Sequence, residues 1–530
     1  MSAFLDYAEF QEFWNRFCPE TPFGREAKDQ LRLYSDPAEL AAIWDRTDAA
    51  LGLLDQLQTD PVRLDRVSHH LKRLPRFPRD PRPGYTEVEL FQFKKFLHNY
   101  TCLLELLGPA ACREFGLGFR SASFAQLLDT GRQSAESFYV ADEYSAELKA
   151  VRAELRDNVT QVQEQRRLRA QAIQDRWGLD FNGREFLVVA RALLGDPGAA
   201  ATLLVIEPYD DSHWVVRPLA TAEALMLLTA RERLLARERS VEEEVLETLS
   251  HAARQELAAF EEYLEAVREF DLAFARARLA RSWNLTRPTL APGAIRIEQG
   301  RFLPCLESCA ALGTGYTPLD AEFGSPVTVI FGSNMGGKTI VLKTLAFLQL
   351  CAQTGLFVPA AAFATRVFEH FHYIGEGGSA DSSRGLSGFG RELSQFNAAW
   401  ADCARPTLLL FDEFARTTQS REAEALLSAA IAAMAPKPGL LALFSTHFRG
   451  VKRFPEVAYR RMGGLDRAGL AGQQGAADPA DRIRMIARHM DYRLKIDDDS
   501  GGVSDALAVA QSLGLDPAIV AMADTFFNQR

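Results

Sequence analysis

The segment Gly332-Ser333-Asn334-Met335-Gly336-Gly337-Lys338-Thr339 has the residue types and spacing to wrap the phosphates of a nucleotide. Its glycines let backbone N–H groups close on phosphate oxygens. A helix N-terminus at the end of the loop adds partial positive charge. Lys338 would reach the β- and γ-phosphates of ATP, and the Thr339 hydroxyl would ligate Mg²⁺. Such a loop must follow a buried strand and open a helix. Val327-Thr328-Val329-Ile330-Phe331 before it is β-branched and apolar, and Ile340 to Leu350 after it has a helical apolar pattern.

A second group of residues completes a hydrolytic site. Thr407-Leu408-Leu409-Leu410-Phe411-Asp412-Glu413 is an apolar strand that ends in two carboxylates. Neighbouring strand residues point to opposite faces, but where the strand ends the chain turns and both can face one ligand. Asp412 would hold Mg²⁺ through water, and Glu413 would orient and deprotonate the attacking water. Leu441-Ala442-Leu443-Phe444-Ser445-Thr446-His447 is a further apolar strand with a polar end, which places His447 near the same edge.

The spelling of these motifs resembles the MutS family of ATPases. Asn334-Met335-Gly336-Gly337-Lys338 resembles that family's phosphate loop, with Ser333 where a Pro is usual, and Lys343 stands where the family has a basic residue. Gly355 to Ala360 resembles the strand that follows the family's first helix. Ser387-Gly388-Phe389-Gly390-Arg391-Glu392-Leu393 resembles its Ser-Thr-Phe-x-x-Glu-Met segment, and Ser445-Thr446-His447 its Ala-Thr-His motif. The resemblance implies that His447 senses the γ-phosphate and that Ser387 acts in trans, completing a partner's site across a dimer. It also places an aromatic residue, here Tyr316, against adenine. There is one departure: Phe414-Ala415-Arg416-Thr417-Thr418-Gln419-Ser420 replaces a Gly-Arg-Gly-Thr-Ser-Thr-like loop. Both glycines are gone, which narrows the backbone conformations open to the loop.

Composition bounds the rest. The 530 residues suffice for two or more domains of ordinary globular composition. The N-terminal residues lack the basic start and apolar stretch of a secretory signal. No apolar run approaches the roughly 20 residues that span a bilayer. Seven scattered cysteines read as reduced thiols of a cytoplasmic protein. A formal net charge of −10 weighs against a uniformly basic surface, although a local basic stripe can sit on an acidic chain.

Along the chain, residues 1–180 read as a helical core and ascending lever. Residues 181–220 read as a small β clamp-like tip, with strand patterns at Phe186–Ala190, Ala201–Ile206 and His213–Val216. Residues 221–290 read as a descending lever helix, and 291–530 as a MutS-type ATPase domain with a C-terminal helical dimerisation element. Gly463 to Asp481, rich in Gly, Ala and Asp, reads as a loop. Thr21-Pro22-Phe23-Gly24 resembles an early segment of shorter family members, and Phe270-Asp271-Leu272 to Ala277 resembles the family's lever end. The resemblance thus implies an α/β P-loop ATPase of the ABC class, preceded by a mostly α-helical lever region. Because the helical pattern starts almost at residue 1, a mismatch-reading wedge is not expected, nor is a nuclease tail after the C-terminal helices.

ATP and Mg²⁺ are the expected ligands, and a two-fold homodimer, or a heterodimer with a related chain, the expected assembly. Two targets stay open. One is DNA, bound by its structure without mismatch specificity, as in DNA repair. The other is a partner enzyme, because some short members of the family are associated with adenosylcobalamin-dependent aminomutases as reactivating factors. The tip favours the second: Arg184, Arg191 and Arg217 face Glu185, Asp196, Glu207, Asp210 and Asp211, which is no phosphate grip.

Overall fold

The computed structural model describes residues 2–131, 134, 136–333, 336–375, 388–467, 469, 479–498 and 505–528. Two compact units emerge. One joins residues 1–68 to 267–530; the other is the continuous stretch 69–266. This differs from boundaries at 180, 220 and 290 read in chain order. The reason lies in the N-terminal aromatics. Phe4, Phe10, Phe13, Trp14 and Phe17 are buried in the same apolar cluster as Phe347, Phe371 and Leu408.

In the unit 69–266, helix Glu87–Glu114 starts on a capping box. The Thr86 hydroxyl accepts from the Glu89 N–H while the Glu89 carboxylate accepts from the Thr86 N–H. Its core is aromatic: Phe77, Phe93 and Phe96 pack around Phe260 with ring centroids 5.0–5.5 Å apart. Helix Ala146–Trp177 is largely solvated. Arg152 ties it to its surroundings through Asp142, Glu238 and Glu242. Beyond it lies a small antiparallel sheet of β1 (Leu187–Ala190), β2 (Leu204–Pro208) and β3 (His213–Pro218), in the order β1-β3-β2. Ile173, Phe181, Val189, Leu204 and Val216 form its core. The 62-residue helix Ala222–Trp283 then crosses the boundary at residue 266.

The other unit carries two sheets. β4 (Thr289–Leu290), β5 (Ile295–Gly300), β6 (Leu319–Phe323) and β8 (Ala362–Thr365) make one, in the order β4-β8-β5-β6. The main sheet contains β7 (Val327–Phe331), β9 (His370–Ile374), β10 (Thr407–Asp412), β11 (Leu440–Thr446), β12 (Val457–Leu465) and β13 (Met490–Ile496). Its order is β13-β12-β7-β11-β10-β9, parallel throughout except for β13.

Both faces of this sheet are covered, which is why its central strands are almost wholly apolar. Alternate residues take opposite sides. Ile330, Leu408, Leu410, Leu441 and Leu443 join the cluster containing helix Lys338–Gln353. Val329, Phe331, Leu409, Phe411, Ala442 and Phe444 join the cluster containing helix Ser420–Met434. All five residues of β7 are buried. Gly463–Leu465, read from composition as loop, extend β12, and Pro479–Asp481 open helix Pro479–His489. Pairing with β13 overrides the local preference there. Gly355–Ala360 forms no regular strand and leads by bends, with one bridge from Val358 to Thr286, into β8. At the C-terminus stand helices Asp505–Leu513 and Pro517–Asn528.

Candidate nucleotide site

Parallel strands deliver their C-terminal ends to one edge of a sheet, where loops and helix N-termini gather. Here β7 runs into the loop Gly332–Gly337, β10 ends at Asp412 and β11 at Thr446. The register pairs Asp412 with Ser445 and Phe331 with Thr446. Three polar ends are thereby fixed side by side.

The loop closes on helix Lys338–Gln353 through Gly337, at φ 87°. A side chain here would be strained by that angle. Its Cβ would also stand 3.1 Å from the Tyr492 ring. The Lys338 ammonium curls back onto its own loop, donating to the carbonyls of Gly332 at 2.8 Å and Ser333 at 2.9 Å. It also lies 3.2 Å from Glu413 Oε1. Burial pulls the Lys338 pKa down, against the opposing pull of Glu413 and Asp412. Ser333 Oγ is buried and has no hydrogen-bond partner among the described residues. An orphaned buried hydroxyl beside the Lys338 ammonium fits an anionic oxygen.

Asp412 gathers hydroxyl groups. Its Oδ1 accepts from Thr339 Oγ1 at 3.1 Å and from Ser445 Oγ at 2.6 Å. Its Oδ2 faces the Tyr7 hydroxyl at 3.4 Å. A threonine hydroxyl beside a strand-end carboxylate is the donor set for a hard divalent cation held next to phosphates, so the residues fit Mg²⁺. Glu413 follows at φ 54°, a left-handed turn that swings its carboxylate toward Lys338. Its N–H is held by both oxygens of Ser445 at 3.1 Å. Arg416 Nη1 lies 3.4 Å and His447 Nδ1 3.9 Å from this carboxylate. His447 is 41% exposed and packs its ring on Phe448.

Next to the loop is a cavity of about 340 Å³, lined by Tyr316, Thr317, Tyr492, Cys305, Cys309 and the first turn of helix Lys338–Gln353. The Tyr316 hydroxyl accepts from the Phe302 N–H at 2.7 Å, which fixes its ring in the wall, and burial pushes its pKa up to about 12.

Residues 328–528 match the family model of MutS domain V. That stretch carries a MutS domain V, and the chain is similar to MutS-family proteins. It is 28% identical over 420 residues to an endonuclease MutS2 of Thermomicrobium roseum, covering 74% of this chain and 48% of that protein. It is 29% identical over 401 residues to an endonuclease MutS2 of Shouchella clausii, covering 72% and 46%. With that of Lactiplantibacillus plantarum it shares 26% over 554 residues, or 98% of this chain and 64% of the relative. The chain thus spans about half to two thirds of the length of these curated relatives.

At this candidate site the structure brings together Gly332, Ser333, Gly336, Gly337, Lys338, Thr339, Asp412, Glu413 and His447 at one sheet edge, with Tyr316 in the adjoining cavity wall. Asn334, Met335 and Ser387 lie outside the described residues. In the loop that lost its glycines, Ala415 keeps a glycine-like φ of 62°. Such an angle costs an L-residue about 1–2 kcal/mol. It is buried and held by its N–H, which donates to Glu392 Oε2 at 2.8 Å.

Two participants escape sequence reasoning. Tyr7 stacks on Tyr373 with centroids 3.8 Å apart and reaches both Asp412 and the Thr339 carbonyl. Burial, with the charge of Asp412, raises its pKa well above the ordinary tyrosine value, so it remains a donor. Tyr492 comes from β13, whose register nothing in the local sequence announces. The alternation of Met490, Tyr492, Leu494 and Ile496 with charged residues was its available signal.

Proposed function

We propose that the chain is a Mg²⁺-dependent ATP hydrolase that acts as a two-fold dimer. The observation that carries this reading is the pairing of Thr339 with Asp412 and of Lys338 with Glu413 at one strand edge. When bound, Mg²⁺ would neutralise charge on the β- and γ-phosphates. The loop N–H groups and Lys338 bind the phosphates; Thr339 and Asp412 orient the cation. Glu413, released from Lys338, takes the proton of the attacking water, and His447 lies within reach of the same carboxylate. The cavity beside Tyr316 and Tyr492 is large enough and aromatic enough to hold adenine.

Dimerisation finds support in the C-terminal helix Pro517–Asn528, which exposes Ile519, Met522, Phe526 and Phe527. So contiguous an apolar face fits a second copy. Ser387 would act across that dimer. Mixing Glu413→Gln with Ser387→Ala subunits should give a rate that is not the sum of the parts. A monomer in sedimentation, with additive rates at every ratio, overturns the shared site.

The target we favour is DNA, bound by backbone and shape without mismatch selectivity. The names of the relatives support a nucleic-acid role. In this reading the helices Ala146–Trp177 and Ala222–Trp283 would serve as the lever and the sheet β1–β3 as the clamp tip. We place the protein in the cytoplasm; among the described residues no helix is long and apolar enough to cross a membrane. ATPase assays with homoduplex, mismatched duplex, four-way junction and a candidate partner enzyme decide the target. Equal stimulation by homoduplex and mismatch, lost steeply with salt, supports DNA; each phosphate contact contributes about −0.9 to the log–log slope. Stimulation by a protein alone transfers the reading to remodelling of a partner enzyme, which the acidic tip favours. A strong preference for the mismatch overturns the absence of a reading element.

A further inference from the structure

The motif His370-Phe371-His372 opens β9, the edge strand of the main sheet. Residues two apart on a strand share a face, so the two imidazoles stand side by side, their planes 15° apart. Facing them is Asp402, the last residue of helix Gly388–Asp402. Its Oδ2 lies 2.9 Å from His372 Nε2 and 3.4 Å from His370 Nδ1. One ligand atom from each of the three residues lies within 4.8 Å of the others.

We propose that His370, His372 and Asp402 form a binding site for a divalent transition-metal ion of the Zn²⁺ class. Zinc bonds to nitrogen and oxygen at about 2.0–2.2 Å, and a tetrahedron of such bonds separates its ligand atoms by roughly 3.3 Å. The distances to the shared Asp402 oxygen already bracket that value. Two imidazoles and one carboxylate are borderline ligands that suit Zn²⁺ or Ni²⁺ better than Mg²⁺. The side chains are 24–31% exposed, which leaves a fourth position to water.

The scaffold is rigid. The Asp402 carbonyl accepts from Thr407 Oγ1 at 2.8 Å and from the Arg405 N–H at 2.9 Å. Thr407 in turn is the register partner of His370. Burial lowers the His372 pKa; in the neutral ring Nε2–H donates to Asp402, so a metal on Nε2 requires that proton to move to Nδ1. The site lies beside the first half of β10, where His370 and His372 pair with Thr407 and Leu409, five and three residues before Asp412, roughly 16 and 10 Å at about 3.3 Å per residue. It is separate from the nucleotide site.

One neighbour competes. Arg405 Nη1 lies 3.4 Å from His370 Nε2. With Arg405 donating there, the His370 proton sits on Nδ1, toward Asp402. A metal on Nδ1 needs that proton moved to Nε2, so Arg405, which is exposed, must swing aside. Metal binding would then clamp the edge strand to the end of helix Gly388–Asp402.

The test is equilibrium dialysis of the chelator-stripped full chain against micromolar ZnCl₂, with bound zinc read by elemental analysis. The expected result is one zinc equivalent per chain. That equivalent should be lost in His372→Gln and in Asp402→Asn, both chosen to preserve size and hydrogen bonding. Arg405→Ala should bind severalfold more tightly than the parent. Circular dichroism confirms that each variant folds. Zinc binding that is absent in the parent, or unchanged in both ligand variants, overturns the site. In the second case the ion sits elsewhere, for instance at Cys305 and Cys309.

Discussion

Lys338 and Glu413 face each other across 3.2 Å, with side chains only 3% and 12% exposed. In the proposed reaction Lys338 would turn to the phosphates, and Glu413, freed from this pair, would act as base on the attacking water. Glu413→Gln should therefore keep ATP binding while slowing turnover by roughly a hundredfold or more, the scale of general-base loss. Lys338→Ala should weaken binding itself. Single-turnover kinetics with filter binding separate the two effects; unchanged turnover in Glu413→Gln removes that residue from the role of base.

Tyr7 and Asp412 are 405 positions apart in the chain, yet the phenol hydroxyl lies 3.4 Å from Oδ2. Tyr7→Phe keeps the stack on Tyr373 and deletes only the donor. A hydrogen bond of ordinary net worth, about 1 kcal/mol, corresponds to a factor of about five. The Mg²⁺ concentration for half-maximal ATPase should rise by about that factor, with maximal rate nearly unchanged. A Mg²⁺ titration superimposable on the parent's would show that the hydroxyl does not position Asp412.

Gly337 is pinned twice, by φ 87° and by Tyr492 at 3.1 Å from a Cβ position. Gly337→Ala should displace Tyr492 or open the loop, and should cost nucleotide affinity at least tenfold. Isothermal titration against ATP reads this. Thermal stability should fall much less than affinity, because the left-handed penalty is about 1–2 kcal/mol.

Asp271 anchors the N-terminal helices. Buried in the long helix, it accepts from the N–H groups of Glu20 at 2.9 Å and Thr21 at 2.8 Å, and from Thr21 Oγ1 at 2.7 Å. Thr21 Oγ1 then accepts from the Gly24 N–H, capping helix Pro22–Asp29. Asp271→Asn turns an acceptor into a donor facing donors, and should cost about 1–3 kcal/mol. Gly24→Ala should be at least as harmful, since its Cβ would fall on the Asp271 carboxylate. Urea unfolding followed by circular dichroism measures both.

The residues of the candidate nucleotide site were legible in the sequence by itself. A phosphate loop, an apolar strand ending in Asp412-Glu413 and a third strand ending at His447 are local patterns. Each is set by a few adjacent residues: glycines for close approach, β-branched and leucine runs for burial on two faces. The helical tracts were legible for the same reason, since Ala222–Trp283 and Ala146–Trp177 declare themselves by periodicity and charge. The segments around Thr21 and Asp271 could be singled out, but not their contact. Only the tertiary structure decided which distant residues meet. Tyr7 reached Asp412 because the N-terminal aromatics are buried with Phe347 and Phe371 rather than with the helices that follow them in sequence. Tyr492 reached the phosphate loop because an antiparallel strand was added to β12, in defiance of a glycine-rich local composition. His370, His372 and Asp402 converged because β9 is an edge strand and a helix ends beside it. Local pattern fixes what an element is. Which elements become neighbours depends on burying the apolar surface of the whole chain at once, and no window of sequence contains that sum.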